Sequence, residues 1–441
     1  MEPGGVEVIP DADRHGRPLQ MLWTWISPNL QFATVFVGVM AVAVYGLSFW
    51  QASVVILLGN GLGSLMHGLL SAQGPRFGVT QMVLSRLSFG YRGNMLPAGL
   101  NTLTSVGWFA VGSISAALAL NTLTDLPRPL CLLIVVSIQV VVAVLGHNLI
   151  QVVERYASVV LAGVFTIATV LVLSRASYAV AANGRGVTGG CLLAFATCWS
   201  YAAGWSPTAS DYTRYLPACE DRRGVGLCCG LGVFVSCTVL EVAGAASVGA
   251  GREALADPTS SFTDQLPAPV AAATLLAITL GAMSAGVMNV YSGAVSFVTL
   301  GIRLGSRFRR AVAALMFGTA GSVLAYLGLT AQADRYQAFL LMVAYWVGPW
   351  LGVVLLDLYR HRPGPSVVDD DAHLRRLVFD HGYRHGAGPI SMGVGLVVSV
   401  WLFANQQLYI GVVPQHFPSF GDLAPEVGCG IAAACYALLR R

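Results

Sequence analysis

Long apolar runs fill the chain from residue 22 onward, and short polar segments separate them. A run of about 20 apolar residues is long enough to cross a hydrocarbon core ~30 Å thick. Twelve such runs can be counted, so the pattern predicts an all-α integral membrane protein with twelve transmembrane helices. Their predicted limits are 22–48, 50–73, 95–123, 129–149, 154–180, 188–210, 226–250, 268–302, 309–330, 334–359, 387–410 and 421–439.

Two of these runs contain a Ser-Pro dipeptide beside a tryptophan, Trp25-Ile26-Ser27-Pro28 in the first run and Trp205-Ser206-Pro207 in the sixth. Proline lacks a backbone donor and clashes with the preceding turn, so each dipeptide predicts a broken helix with free carbonyls and amides. The sixth run comes five helices after the first, an odd offset, which gives the two halves opposite orientations in the membrane. Paired breaks of this kind indicate inverted repeats with a binding site between them, as in LeuT-type transporters.

The predicted organisation is a 5+5 inverted repeat followed by two C-terminal helices. Residues 1–21 form an N-terminal tail, 22–180 the first repeat and 188–359 the second. Residues 360–386 form a cytoplasmic loop, and 387–441 contain helices 11 and 12 with a short tail. The stretch 74–90 mixes polar and apolar residues, so we expect an amphipathic segment on the membrane interface.

Composition supports a multi-pass membrane protein, because mean hydropathy is +0.67 and only 10% of residues are charged. The net charge of +4 comes from arginines in short loops and not from one patch with interleaved aromatics, which excludes a nucleic-acid partner. The nine cysteines lie mostly inside apolar runs without metal-ligand spacing. We therefore expect small core residues and no metal site.

Every basic residue is an arginine, and the arginines are distributed unevenly between the two sides. Twenty of the 25 fall on the side of the N-terminus, and Arg128, Arg175, Arg185, Arg252 and Arg335 fall on the other. The positive-inside rule then predicts cytoplasmic N- and C-termini and a place in the plasma membrane. We expect a monomer or weak oligomer in the lipid bilayer.

Two ordered blocks carry a family resemblance. The first runs from Gly46-Leu47-Ser48-Phe49-Trp50 through Gly74-Pro75-Arg76-Phe77-Gly78 to Gly107-Trp108, and the second from Gly204-Trp205-Ser206-Pro207 to Leu216-Pro217. They resemble the nucleobase/cation symporter family, and more narrowly its purine/cytosine permease branch. The resemblance implies uptake of a nucleobase or related heterocycle, of cytosine, purine, allantoin or hydantoin type, coupled to H⁺ or Na⁺.

A planar heterocycle needs aromatic surfaces for its faces, and stacking contributes about 1 to 3 kcal/mol per base. Trp108 and Trp205 match positions that the family uses for stacking, and Tyr201 is a secondary candidate. The alternative for any tryptophan is to anchor a helix at the membrane interface. That is the role we expect for Trp23, Trp50, Trp346, Trp350 and Trp401.

The edge of a heterocycle needs both donors and acceptors. Asn289 lies in an apolar helix, where an unpaired amide is unfavourable, and the family has a substrate-binding asparagine at the matching site. A link between two helices is the alternative for this amide. Ser27 and Asn29 flank Pro28 and either face the cavity or cap the broken helix.

Gly112 follows Trp108 by one turn, at a position where several relatives carry an amide that grips the base. The glycine predicts room for a bulkier or differently oriented ligand.

The coupling cation has two candidate sites. In sodium-coupled relatives the ion lies between helices 1 and 8, which points to the hydroxyls of Ser284 and Thr279, with Ala33 or Gln31 nearby. Glu241 is a conspicuous intramembrane carboxylate, and burying its charge costs about 2.5 to 3.5 kcal/mol on insertion scales. It is either protonatable or a structural acid.

Asp211 and Arg214 follow the sixth run, where a salt bridge would hold an inner gate and a solvated surface pair is the alternative. These features predict a secondary transporter working by alternating access, with no cofactor beyond the coupling cation. The alternatives are a carrier of another solute on the same fold and a non-transporting membrane sensor. We do not expect an enzyme, because Glu241 has no paired carboxylate or histidine motif beside it in the sequence.

Overall fold

A computed structural model describes residues 6–145, 147–176, 178, 187–248, 258–301, 309–328, 333–360, 367–406, 409–417 and 419–440. Its regular structure over these residues is helical, apart from isolated bridges between Gly90 and Arg384 and between Asn405 and Ile410. The prediction of an all-α membrane protein is therefore confirmed.

The first half of the chain contains ten helices in the described residues. They are α1 Pro18–Ile26, α2 Phe32–Ala43, α3 Phe49–Ser71, α4 Gly74–Phe77, α5 Gln81–Leu84, α6 Arg86–Gly93, α7 Met95–Thr124, α8 Arg128–Leu145, α9 His147–Arg175 and α10 Val187–Ala203.

Ten more helices follow in the described part of the second half. They are α11 Ala209–Thr213, α12 Arg222–Ser247, α13 Pro258–Thr263, α14 Ala268–Thr299, α15 Arg309–Gly328, α16 Ala333–Arg360, α17 Val367–Leu377, α18 Ala387–Phe403, α19 Val412–His416 and α20 Ala424–Leu439.

Among the described residues, six stretches are long and apolar enough to span a membrane, and the pair α1–α2, bent by 63°, raises the number to seven. The six lie in α3, α7, α9, α12, α14 and α16. Shorter apolar helices lie in α8, α15, α18 and α20. Eleven of the twelve predicted runs overlap one of these helices or the bent pair, and the run 188–210 overlaps α10 and α11, so a count of twelve spans stays a prediction.

Both Ser-Pro dipeptides interrupt a helix, as predicted. Ser27–Asn29 forms a single 3-10 turn between α1 and α2, and Ser206–Thr208 forms another between α10 and α11. Beyond the first turn, Gln31 is extended, with φ −146° and ψ 165°. The chain therefore leaves helical geometry at both dipeptides, where proline removes a backbone donor.

Two groups of helices meet at these breaks. The first, called the broken-helix group, contains α1, α2, α3, α10 and α12, and the second, the α7–α14 group, contains α7, α8, α14 and α15. Helix α9 contacts both groups. Within the broken-helix group the backbones touch, since a Cβ on Gly38 would lie 1.7 Å from Glu241 O and one on Gly244 would lie 1.9 Å from Val35 O.

One end of the molecule, called the basic end, gathers Arg14, Arg76, Arg86, Arg214 and Arg440. Contacts join its elements: Arg14 Nη1 donates to Pro75 O at 2.9 Å, and Arg86 Nη2 donates to Thr299 O at 2.9 Å. The Arg76 side chain forms an ion pair with Asp371 of α17, and Arg440 pairs with Asp357 of α16.

Two expectations about surfaces are wrong. The stretch 74–90 is almost entirely buried and is not an interfacial segment, because α17 packs against α4 and α16 packs against α6. Trp346 and Trp350 are 5% and 0% exposed, since their indole N–H groups donate to Thr104 and Ser85 inside the bundle. The other three tryptophans predicted as anchors, Trp23, Trp50 and Trp401, are exposed.

Candidate substrate-binding site

A small cavity lies where the two helix groups meet. The broken-helix group contributes one wall and the α7–α14 group the other. Its volume is about 20 Å³, enough for roughly one water molecule. The lining residues are Gln31, Asn101, Thr104, Ser105, Trp108, Tyr201, Gly204, Trp205, Thr208 and Asn289. The structure thus brings together four of the predicted substrate-binding residues, Trp108, Tyr201, Trp205 and Asn289.

Aromatic rings from both groups form the walls. The Trp108 ring of α7 meets the Tyr201 ring of α10 edge to face, with centroids 5.4 Å apart and an interplanar angle of 85°. Phe339 packs against the other side of Trp108, with centroids 5.2 Å apart. On the broken-helix side, Trp205 packs on Trp25, with centroids 5.6 Å apart. Apolar faces therefore approach the cavity from opposite groups.

Asn29 fixes the Trp205 ring and does not line the cavity. Its Oδ1 accepts a hydrogen bond from Trp205 Nε1 at 2.9 Å, and its Nδ2 donates to Trp25 O at 2.8 Å. The side chain is fully buried. Asn29 thus bridges the two helix breaks, so it supports the site and lies outside the cavity wall.

Gln31 is a polar group of the cavity that the sequence analysis considered only near the cation. Its Nε2 donates to Pro28 O at 2.8 Å and to the Tyr201 hydroxyl at 3.4 Å. The Tyr201 hydroxyl also pairs with Thr34 at 2.7 Å. Gln31 Oε1 is buried without a hydrogen-bond partner in the described structure, which leaves a strong acceptor at the cavity wall.

The α7–α14 side supplies further polar groups. Asn289 Nδ2 donates to Ala285 O at 2.9 Å within its own helix, while the side chain lines the cavity. Asn101, Thr104 and Ser105 also line it. The sequence analysis missed these three, although they lie seven, four and three residues before Trp108 and therefore on its helix face.

The Ser27 hydroxyl lies 3.3 Å from the Ser284 hydroxyl, so it joins the first helix break to α14. Both side chains are buried, and neither lines the cavity. The predicted pair of Ser284 and Thr279 is not brought together by these contacts, because the Thr279 hydroxyl donates to Leu275 O at 3.0 Å in its own helix.

Gly112 does not line the cavity in this conformation, and the room for a ligand beside it stays a prediction. A Cβ at this position would lie 3.3 Å from Ala282 O of α14 and 4.0 Å from Gln31 Oε1. The glycine allows α7 and α14 to pack closely, and the Gln31 amide occupies the adjacent space.

Glu241 lies within the broken-helix group, outside the cavity lining. Its Oε2 accepts from Asn60 Nδ2 at 2.8 Å, and the Cys198 thiol is a further partner of this carboxyl group. Its Oε1 is buried without a hydrogen-bond partner in the described structure. No group of three or more His, Cys, Asp or Glu residues among those described is arranged to hold a metal ion.

The predicted gate residues are buried at the basic end, so a solvated surface pair is excluded. Asp211 and Arg214 are each 1% exposed. Asp211 Oδ1 accepts from Gln81 N at 3.0 Å, and Arg214 Nη2 donates to the Tyr291 hydroxyl of α14 at 3.2 Å. The Tyr215 and Tyr291 hydroxyls lie 3.1 Å apart. These contacts join α11 to α14 below the cavity.

Solved structures show the same fold over the whole chain. Mhp1, a nucleobase-cation-symport-1 family transporter in a closed conformation with bromovinylhydantoin bound, has a TM-score of 0.77 and 19% identity, covering 100% of this chain and 95% of that one. The inward-facing conformation of Mhp1 has a lower TM-score of 0.68 at the same 19% identity, covering 100% of this chain and 96% of that one. This likeness establishes a LeuT-like fold.

Curated relatives match along nearly the full length. The putative purine-cytosine permease YxlA of Bacillus subtilis is 26% identical, covering 99% of this chain and 95% of the relative. The purine-cytosine permease fcyB of Emericella nidulans is 27% identical, covering 100% of this chain and 88% of the relative. These relatives are permeases and not enzymes. Residues 8–421 match the family described as permease for cytosine/purines, uracil, thiamine, allantoin, and the chain belongs to this family of membrane transporters.

Proposed function

We propose that the protein imports a nucleobase or related heterocycle by cation symport with alternating access. The observation that carries this proposal is the cavity between the two helix groups, which combines aromatic walls with amide groups. A planar heterocycle needs both chemistries at once. Family membership points to a small heterocyclic substrate, and the aromatic and amide lining of the cavity supports a heterocycle of cytosine, purine, allantoin or hydantoin type.

Trp108 and Trp205 would cover the two faces of the heterocycle, one from each helix group. The Gln31 acceptor would receive a ring N–H donor, and the Asn289 amide would offer a donor and an acceptor to another part of the ring edge. Because the two tryptophans belong to different groups, substrate binding would draw the groups together. The substrate would then bind the closed state better than an open one, and this difference in affinity is what allows substrate binding to drive closure.

The conformation described here is closed around its site. A cavity of about 20 Å³ holds no heterocycle, since ligand pockets usually reach several hundred Å³. The contacts between α11 and α14 close the basic end, and the higher TM-score to the closed Mhp1 structure is consistent with this state. Transport then requires the broken-helix group to move against the α7–α14 group.

We further propose twelve transmembrane helices in a 5+5 inverted repeat plus two, with both termini in the cytoplasm and the chain in the plasma membrane. The two helix breaks support the repeat, since each interrupts the first helix of a predicted half. The clustering of Arg14, Arg76, Arg86, Arg214 and Arg440 at one end supports the orientation.

For coupling we propose a cation between Ser27 and Ser284, because this contact crosses the boundary that moves. Hydroxyl oxygens do not titrate near neutral pH, so this site favours Na⁺ over H⁺. Glu241 is the rival site for H⁺. Its contacts lie within the broken-helix group, where rigid-body movement leaves its surroundings unchanged, so we assign it a structural role as a neutral acid.

Uptake of labelled cytosine, adenine, hypoxanthine, uracil and allantoin in cells without their own carriers tests the function, with sodium and pH varied. Trp108→Ala should abolish saturable uptake of the transported compound, while Trp401→Ala, at a tryptophan 56% exposed on the bundle surface, should not. Uptake of an unrelated solute alone would refute heterocycle transport. Binding without flux would make the protein a sensor.

The coupling proposal has a separate test with the active substrate. Uptake should rise with sodium concentration at constant pH. Glu241→Gln should keep this sodium dependence, because the glutamine oxygen still accepts from Asn60 Nδ2 and the change removes only a group that can bind a proton. A different result would assign coupling to H⁺ at Glu241. In that case uptake by the unmodified protein would depend on pH and not on sodium, and Glu241→Gln would lose the pH dependence.

A further inference from the structure

A large cavity of the described structure lies outside the substrate site, on the outer surface between α3 and α12. Its volume is about 940 Å³, and the exposed leucines Leu65, Leu227 and Leu231 stand along it. It begins at Gly61 and follows α3 to its end at Ser71, which is about 15 Å at 1.5 Å per residue. This length is close to one leaflet of a hydrocarbon core about 30 Å thick.

Small residues open the groove, since α3 and α12 touch at their backbones and diverge outward. A Cβ on Gly68 would lie 2.5 Å from Gly226 O, so the helices are in direct contact there. At Gly61 a Cβ would be in ordinary van der Waals contact with Phe234 Cε2 at 3.8 Å, so that position has room for a side chain. The groove is therefore a cleft with an apolar floor and an open outer side.

The mouth of the groove at the basic end is charged. Arg222 and Arg223 are exposed there, in the first turn of α12. Asp221 is also at the mouth, but its two carboxylate oxygens already accept from Arg223 N and Gly224 N as the cap of α12. Glu220 is the remaining acid at the mouth. The two guanidinium groups stand beside the apolar groove, so they are available to bind the phosphate of a lipid whose acyl chain lies in it.

We propose that this groove is a specific site for one anionic phospholipid, with an acyl chain between α3 and α12 and its phosphate on Arg222 and Arg223. A membrane transporter exposes such a cleft to lipid tails, and anionic headgroups are attracted to arginines near the membrane surface. The opposite faces of the same helices hold α1, where Trp25 contacts His67 and lies against Gly232. The lipid would thus brace the broken-helix group.

The site is tested on the purified full-length protein in mild detergent, by native mass spectrometry of bound phosphatidylglycerol during titration. Gly61→Trp fills the groove and should abolish the high-affinity lipid adduct. Gly163→Trp, on the surface of a different helix (α9), is the matched control, because a Cβ on Gly163 would meet no atom within 4 Å. Equal loss of the adduct in both variants would overturn the proposal, because the lipid would then belong to the general annulus.

The arginines provide a second arm that does not depend on packing. Arg222→Gln and Arg223→Gln should each weaken phosphatidylglycerol binding about fivefold, whereas Arg92→Gln, at an exposed arginine of the same end, should not. Equal affinity for phosphatidylcholine, or displacement by glycerol phosphate at similar concentration, would overturn the assignment to an anionic phospholipid. The result is independent of the transported substrate, so this inference and the proposed function fail separately.

Discussion

The hydrogen bond between Asn29 and Trp205 should be coupled to substrate affinity. Asn29→Ala removes the acceptor 2.9 Å from Trp205 Nε1, and Trp205→Phe removes the donor while keeping an aromatic ring. Each change leaves one partly or fully buried polar group unpaired, which costs about 1 to 3 kcal/mol. If this free energy destabilises the orientation of the Trp205 ring that binds substrate, the affinity for the substrate falls about 5- to 150-fold.

The double variant should lose less than the sum of the two single variants. With both partners absent no polar group of the pair remains unpaired, so we expect a coupling energy of about 1 kcal/mol, or roughly fivefold in Kd. The assay is equilibrium binding of the transported heterocycle to purified protein, with Trp401→Phe as the control at an exposed tryptophan. Additive effects, or unchanged affinity in Asn29→Ala, would refute the bridging role of Asn29.

Three further predictions concern packing, gating and coupling. Gly38→Ala should lower the unfolding temperature in detergent, because a Cβ there lies 1.7 Å from a backbone oxygen of α12 and overpacking costs about 1 to 3 kcal/mol, whereas Gly163→Ala should not. Tyr291→Phe should speed hydrogen exchange of residues 209–216, because it removes a hydroxyl contact that closes the basic end; unchanged exchange would contradict the gate. Ser284→Ala should abolish sodium stimulation of uptake, and a retained sodium response would place the cation elsewhere.

The candidate site was predictable where the family resemblance assigns a role to a residue of fitting chemistry. Trp108, Trp205 and Asn289 stand out in apolar helices, and each lines the cavity. Gln31 was not assigned to the substrate, because its side chain reaches the cavity only through the extended backbone after the first break. Asn101 lies on the helix face of Trp108, so helical spacing was the available signal for it.

The sequence also could not show which tryptophans are buried. Trp346 and Trp50 are both tryptophans in apolar segments, yet the first is 5% exposed and the second 65%. The surrounding lipid and the protein interior are both apolar, so hydrophobic pattern does not tell one face of a membrane helix from the other. Gly112 is a similar case, since only the position of α14 shows that a Cβ there would lie 3.3 Å from Ala282 O.

The sequence by itself determined the membrane class, the approximate helix limits and the two breaks, because apolar run length and proline chemistry act locally. Only the tertiary structure decided that Asn29 bridges the breaks, that Gln31 faces the cavity, and that the cavity is closed. Those facts depend on which helix faces meet and how closely. In the lipid bilayer, the contacts between helices are set by their shape and by polar pairs between them. The local pattern of a single helix therefore does not predict these contacts.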